Sequence, residues 1–152
     1  MKTAEEVLLQ KKDSRNFIHP DSLVIDALKN LNDVNLSYLI VKDDNSILGI
    51  FSERDYARKV ILQGRSSSNT TVKDVMTVDL PRVQLYDSVE KCMNLLAAHG
   101  MRYILVMDKE KFAGVITIHD LLREILLHGE RVFDNHITGR LIDINEQPAS
   151  IY

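Results

Sequence analysis

Two short stretches pair a hydroxyl with a carboxylate three residues on: Ser52-Glu53-Arg54-Asp55 and Thr117-Ile118-His119-Asp120. Each follows an apolar run opened by a glycine, Gly49-Ile50-Phe51 and Gly114-Val115-Ile116, and stands where a strand gives way to a helix. A carboxylate three residues into a helix can accept two hydrogen bonds from a vicinal diol such as ribose, as acidic residues do in dinucleotide-binding folds. The hydroxyl can add a contact, and free N–H groups with the helix dipole favour a nearby phosphate. The glycines suit close backbone approach or tight packing where the strand begins. Read without a ligand, Ser/Thr-x-x-Asp is close to a capping box, which satisfies backbone donors by itself.

The elements that must position these residues occur twice. Tyr38-Leu39-Ile40-Val41-Lys42-Asp43 returns as Tyr103-Ile104-Leu105-Val106-Met107-Asp108, and Asp55 returns as Asp120, each 65 positions on and without a gap. The same offset carries Arg58 to Arg123, Leu62 to Leu127 and Gly64 to Gly129. Such self-similarity marks a duplicated structural unit. Val24, Ala27, Leu28 and Leu31 have the i, i+3, i+4, i+7 spacing of an amphipathic helix, as do Val89, Cys92, Met93 and Leu96. Asp87 and Glu90 suggest a capping box at the start of the second of these helices. Tyr38–Val41 and Tyr103–Met107 read as buried strands, followed by strands at Ile47–Phe51 and Phe112–Ile116 across polar turns. Helices at Arg54–Gln63 and Ile118–His128 close the repeats, with Gly64 and Gly129 as helix-ending glycines.

The expected organisation is α+β: two helix-strand-strand-helix repeats, 5–65 and 72–130, joined by a Ser/Asn/Thr linker at 66–71. A C-terminal tail, 131–152, follows. Neither half alone supplies enough sheet and helix for a core of its own, so the two are expected to pack about a pseudo-twofold axis. Phe133, Ile137, Leu141, Ile142 and Ile144 in the tail can cover that core or an oligomer surface.

The repeat resembles the CBS domain, and the pair resembles the tandem arrangement called a Bateman module. The likeness covers about residues 5 to 130 and rests on Gly-x-x-Ser/Thr-x-x-Asp after the apolar hairpin. Ser52-Glu53-Arg54-Asp55-Tyr56-Ala57-Arg58-Lys59-Val60 is similar to a stand-alone CBS-pair subgroup from bacteria and plant organelles. The resemblance implies a cleft with two related pockets for AMP, ADP, ATP, NAD(H) or S-adenosylmethionine, and assembly into a homodimer. By position it implies that Asp55 and Asp120, assisted by Ser52 and Thr117, hold ribose hydroxyls. Ser37 and Tyr38, and Arg102 and Tyr103, would face phosphates; Arg102 is the strongest candidate, and its counterpart Ser37 carries no charge. Arg54 and His119, just before the aspartates, can point a cationic group at a phosphate or simply lie solvated. Backbone at Arg15–Ile18 and Leu80–Val83, represented by Phe17, Ile18, Leu80 and Arg82, would contact adenine. Arg82 stands where a small hydroxyl residue is typical, and Leu85 replaces the proline that Pro20 supplies in the first repeat.

Other candidates point away from catalysis. Cys92, the only cysteine, sits on an apolar helix face and reads as a structural thiol. His99, His128 and His136 lack partners at metal-ligand spacing, so no metal site is expected. Neither a Walker A nor a GxGxxG sequence occurs. Asp55 and Asp120, each beside its own hydroxyl, fit two binding sites better than one acid–base pair. A net charge of −3, with Arg54, Arg58, Lys59 and Arg65 interrupted by acidic and apolar residues, argues against nucleic-acid binding. No stretch has the ~20 apolar residues of a membrane span, and the N-terminus lacks a signal-peptide core; a cytoplasmic location is expected. The sequence therefore predicts an adenine-nucleotide sensor, not an enzyme, that signals through a dimer or an unidentified partner protein. Two alternatives stay open: a ligand-free scaffold with degenerate pockets, and a weak nucleotide hydrolase.

Overall fold

The computed structural model describes residues 2–11, 16–128 and 135–146. In chain order the elements are α1 (Ala4–Gln10), β1 (Phe17–Ile18), α2 (Val24–Val34), β2 (Tyr38–Lys42) and β3 (Ile47–Ser52). Next come α3 (Glu53–Asp55), which runs on as a π-helical stretch Tyr56–Ile61, then α4 (Val72–Val75), β4 (Arg82–Gln84) and α5 (Val89–His99). The chain closes with β5 (Tyr103–Asp108), β6 (Lys111–Thr117), α6 (Ile118–His128) and α7 (Asn135–Glu146).

These elements form two compact units, Ser14–Asp79 and Met1–Asp13 with Leu80–Tyr152. Each holds a three-stranded sheet of one topology, ordered β1-β2-β3 and β4-β5-β6. The first strand runs parallel to the second, and the last two form an antiparallel hairpin. Registers repeat as well: Tyr38 faces Ser52 and Tyr103 faces Thr117. The mixed helix-and-strand fold in two repeats is thus the expected one. Leading helices do not follow chain order, however. α1 precedes the first repeat yet packs on β6 and α5 of the second, whereas α4 packs beside the π-helical stretch of the first.

The helix stripes read from spacing are the buried ones: Val24, Ala27 and Leu31 on α2, and Val89, Cys92, Met93 and Leu96 on α5. Burying a side chain of this size contributes roughly 1.5–3 kcal/mol, whereas an exposed pair such as Lys73–Asp21 contributes about 0–1 kcal/mol. Packing therefore dominates. Each unit has its own buried apolar cluster, centred on Leu39, Val41 and Phe51 in one and on Leu96, Ile104, Ile116 and Leu121 in the other. Neither cluster is built from its own helix-strand-strand-helix repeat alone: the short strands β1 and β4 and the exchanged leading helices add apolar surface to it. In the tail, Leu141 is fully buried in the second of these clusters and Ile144 packs on it, while Ile142 stays exposed. Phe133, Ile137, Gly129 and His136 concern positions whose side chains lie outside the described residues.

Local chemistry explains the remaining departures. The second-repeat helix is capped by Ser88, whose hydroxyl accepts from the Lys91 amide at 3.1 Å, so the expected Asp87–Glu90 box does not form. Asp87 instead accepts from the Gln84 amide at 2.7 Å and from Lys91 Nζ at 2.9 Å, and the first of these holds its carboxyl below the usual range. α2 has no side-chain cap at Leu23. The linker does that work, since the Val24 and Ile25 amides donate to the carbonyls of Thr70 and Ser67. The expected helix at Arg54–Gln63 winds wider after Asp55, with the Leu62 amide donating to Ala57 O and the Arg65 amide to Val60 O. That wider turn leaves Val60 fully buried. Gly64 has φ +67° beyond it, as expected of a helix-ending glycine.

Candidate functional site

Strand direction gathers the predicted residues at one end of each sheet. In Leu80–Tyr152 the N-terminal ends of β4 and β5 lie side by side, with Arg82 opposite Leu105. The C-terminal end of β6 joins them, with Thr117 opposite Tyr103. Arg102 O accepts from the Ile118 amide at 2.9 Å, which fixes the start of α6 beside the start of β5. Thr117, Asp120, Arg102, Tyr103, Leu80 and Arg82 therefore share one sheet end. The first repeat does the same with Ser52, Asp55, Ser37, Tyr38, Phe17 and Ile18, where Ser37 O accepts from the Glu53 amide at 3.1 Å.

Both hydroxyl–carboxylate pairs form their capping interactions. Ser52 Oγ accepts from the Asp55 amide at 3.3 Å, and Asp55 Oδ2 accepts from the Ser52 amide at 2.9 Å and Ser52 Oγ at 3.1 Å. Thr117 Oγ1 accepts from the Asp120 amide at 3.2 Å, and Asp120 Oδ2 accepts from the Thr117 amide at 2.8 Å. Asp55 is 5% exposed and Asp120 7%, so neither is a solvated surface acid. Capping and ligand binding are not exclusive here, because a carboxylate has about four lone-pair sites.

The count of filled sites separates the repeats. Asp55 Oδ1 also accepts from Thr77 Oγ1 at 2.8 Å and pairs with Lys59 Nζ at 3.0 Å. With Ser52 giving two bonds to Oδ2, all four positions on Asp55 are occupied. Asp120 Oδ2 pairs with Lys11 Nζ at 2.8 Å, and Lys11 also donates to Val115 O at 2.8 Å. Among the described residues nothing donates to Asp120 Oδ1. Among the described residues, then, both oxygens of Asp55 carry two partners, whereas Asp120 carries them on Oδ2 alone.

Arg102 is half-buried, and its guanidinium donates to Ile144 O at 2.9 Å and to Asn145 O, in the last turn of α7. Ser37 and His119 are exposed, Arg54 and Tyr103 half-buried, and Tyr38 buried. The Ile118 and Asp120 amides are already satisfied by Arg102 O and Thr117 Oγ1, so two of the helix donors expected to be free for a phosphate are taken. β1 and β4 are edge strands, so one side of their backbone faces away from the sheet at Phe17, Ile18 and Arg82. Phe17 carries Lys42 Nζ 4.9 Å above its ring, Leu80 and Ile18 are buried, and Arg82 is exposed. Cys92 is fully buried and burial pushes its thiol up to about 12, which agrees with a structural role. His99 Nδ1 contacts Leu95 O, and His128 lies 3.2 Å from the buried Glu124, itself paired with Lys2.

Sequence reasoning missed Lys11, Lys59 and Thr77 around the two carboxylates. Lys59 had a local signal, since it stands four residues after Asp55 on one helix face. Thr77 and Lys11 had none: Thr77 arrives through the isolated bridge to Ile50, and Lys11 through the packing of α1 on β6.

A family model for the CBS domain matches residues 14–61 and 72–127, and the chain belongs to the CBS-domain family. It is similar to the CBS domain-containing protein CBSX3, mitochondrial, of Arabidopsis thaliana, at 35% identity over 111 residues, which cover 70% of this chain and 54% of that protein. The chain spans about half or less of the length of the first curated relatives it matches. A solved structure of a protein with CBS domains from Burkholderia ambifaria MC40-6 superposes with a TM-score of 0.77 at 36% identity, covering 88% of this chain and 99% of that one. CBSX2, solved in complex with AMP, matches at 26% identity and a TM-score of 0.65, over 84% of this chain and 98% of its own. Among the described residues no helix is long and apolar enough to cross a membrane.

Proposed function

We propose that this chain is a regulatory module that binds an adenine nucleotide, and that its second repeat is the stronger site. The observation that carries the proposal is Asp120: a buried carboxylate at the N-terminus of the 11-residue α6, aimed by Thr117, with one oxygen open among the described residues. In this reading the ribose diol donates to Asp120 Oδ1, and Thr117 Oγ1 contributes its proton. Backbone at Leu80 and, on the edge strand β4, at Arg82 meets the adenine, and Arg102, Tyr103 and His119 face the phosphates. The AMP complex of the related CBSX2 supports AMP as the first ligand to try, with ADP, ATP, NAD(H) and S-adenosylmethionine behind it. No reaction is assigned to the site; binding acts by shifting populations of the protein's states.

The first repeat is the weaker or empty site. A ribose hydroxyl at Asp55 would have to displace Thr77, Lys59 or Ser52, and Ser37 offers no charge to a phosphate. To that extent the scaffold alternative holds for Ser37, Tyr38, Ser52, Asp55 and Arg54, with Phe17 and Ile18 beside them. Self-association is proposed through the ends of the closing helices, where Ile61, Leu62, Leu126 and Leu127 are 56–84% exposed at repeat-equivalent positions.

Thermal unfolding against AMP, ADP, ATP, NAD, NADH and S-adenosylmethionine tests the proposal. A ligand at 100 times its Kd stabilises the native state by about 2.7 kcal/mol, so a selective rise in midpoint with adenine nucleotides is expected. No rise with any of them, from protein shown to be ligand-free, leaves the scaffold.

A further inference from the structure

Helices α5 and α7 of the second repeat's unit pack on each other and are tied near their ends. Arg102, three residues beyond the end of α5, donates to Ile144 O and Asn145 O in the last turn of α7. Arg140 on α7 returns the contact, donating from Nη2 to Ala97 O in the last turn of α5 at 2.9 Å. Leu141, fully buried, seats α7 between these contacts. Meanwhile the main chain of Arg102 is bonded to the first amide of α6, two residues before Asp120. One arginine thus stands at the nucleotide site by its backbone and at the end of α7 by its side chain.

We infer that α7 reports phosphate occupancy: a nucleotide phosphate at the second-repeat site competes with the C-terminal carbonyls of α7 for the Arg102 guanidinium. The inference rests on the nucleotide proposal above. The bonds from the Arg102 guanidinium to the α7 carbonyls are charge-assisted on the donor side alone, whereas those to a phosphate are charge-assisted on both sides and can be bidentate. The carbonyl end of α7 carries a partial negative charge of about half a unit and repels a phosphate brought to the same arginine. Binding of AMP therefore frees the last turn of α7 and uncovers its Ile144 face. Adenosine, which lacks the phosphate, fills the ribose site and leaves α7 docked. The coupling is reciprocal, so loosening α7 tightens AMP.

Hydrogen exchange of the full chain, with binding followed by calorimetry in the same samples, tests this. Saturating AMP speeds exchange of the α7 amides in 140–146, and saturating adenosine does not. Arg140→Ala, a change on the exposed side of α7, raises AMP affinity by up to about fivefold, the equivalent of one hydrogen bond, and leaves adenosine affinity unchanged. Calorimetrically confirmed AMP binding with α7 exchange unchanged or slowed overturns the inference while the nucleotide site stands, because Arg102 then bridges phosphate and helix. AMP affinity unaltered in Arg140→Ala overturns it too. Absence of AMP binding overturns both the site and the inference.

Discussion

Replacing Gly49 and Gly114 by alanine, one at a time, tests whether equivalent positions of the two repeats carry unequal loads. A Cβ on Gly49 would clash with Thr77 O, a backbone atom with no freedom to swing aside. Relief requires the Thr77 segment to move out. That movement breaks the bridge in which Ile50 N donates to Thr77 O at 3.0 Å and Thr77 N donates to Ile50 O at 2.8 Å. It also withdraws Thr77 Oγ1 from Asp55. Two neutral bonds and one to a carboxylate amount to about 3 kcal/mol or more. In a chain of this size 1 kcal/mol moves Tm by roughly 2–4 °C, so Gly49→Ala should lower it by about 6–12 °C. A Cβ on Gly114 meets only the terminal methyls of Leu8, at 2.9 and 3.1 Å. Leu8 is half-buried and can change rotamer, at a cost near the low end of overpacking, about 1 kcal/mol. Melting followed by circular dichroism compares the two. Equal losses, or a larger loss for Gly114→Ala, would refute the assignment of Thr77 as the first repeat's clasp.

With its pKa raised to about 12 in the folded protein against 9.0 for the free thiol, Cys92 keeps its proton in the native state while the unfolded chain loses its own. Stability therefore falls as pH rises above about 9, by about 2 kcal/mol at pH 10.5 relative to Cys92→Ala; a gap between the denaturation midpoints of the two proteins that stays constant across that range would count against a buried thiol. Leu126→Glu should shift the protein toward monomer in sedimentation, with its melting midpoint little changed, since Leu126 is 84% exposed; an unchanged mass removes the closing helices as the interface.

Periodicity was enough to locate the helix stripes, the hairpin strands and the duplication, because buried faces repeat at 3.6 and 2 residues. Ser52, Asp55, Thr117 and Asp120 were legible for a similar reason: their chemistry is local, within one turn. What stayed hidden depends on distant segments. β1 and β4 are only two and three residues long, too short to show a period. The packing of α1 with the second repeat and the arrival of Lys11 and Thr77 at the carboxylates follow from tertiary contacts. Arg102 stands out as a phosphate candidate by its charge and by the position the family resemblance gives it, yet its engagement with α7 had no sequence signal, since the acceptors are main-chain carbonyls that any residue provides. The wide helical turn after Asp55 likewise left no mark on side-chain pattern.

Titration of AMP into wild type, Asp120→Asn and Asp55→Asn by calorimetry bears most directly on the central proposal. Asparagine keeps an oxygen to accept from the Thr117 amide, so the cap survives while the charge is lost. Wild type should bind one AMP per chain at the stronger site. Asp120→Asn should weaken that binding by about ten- to a hundredfold, the worth of a hydrogen bond to a charged group, and Asp55→Asn should leave it within about threefold. Wild-type affinity in Asp120→Asn, or its loss in Asp55→Asn alone, would contradict the account.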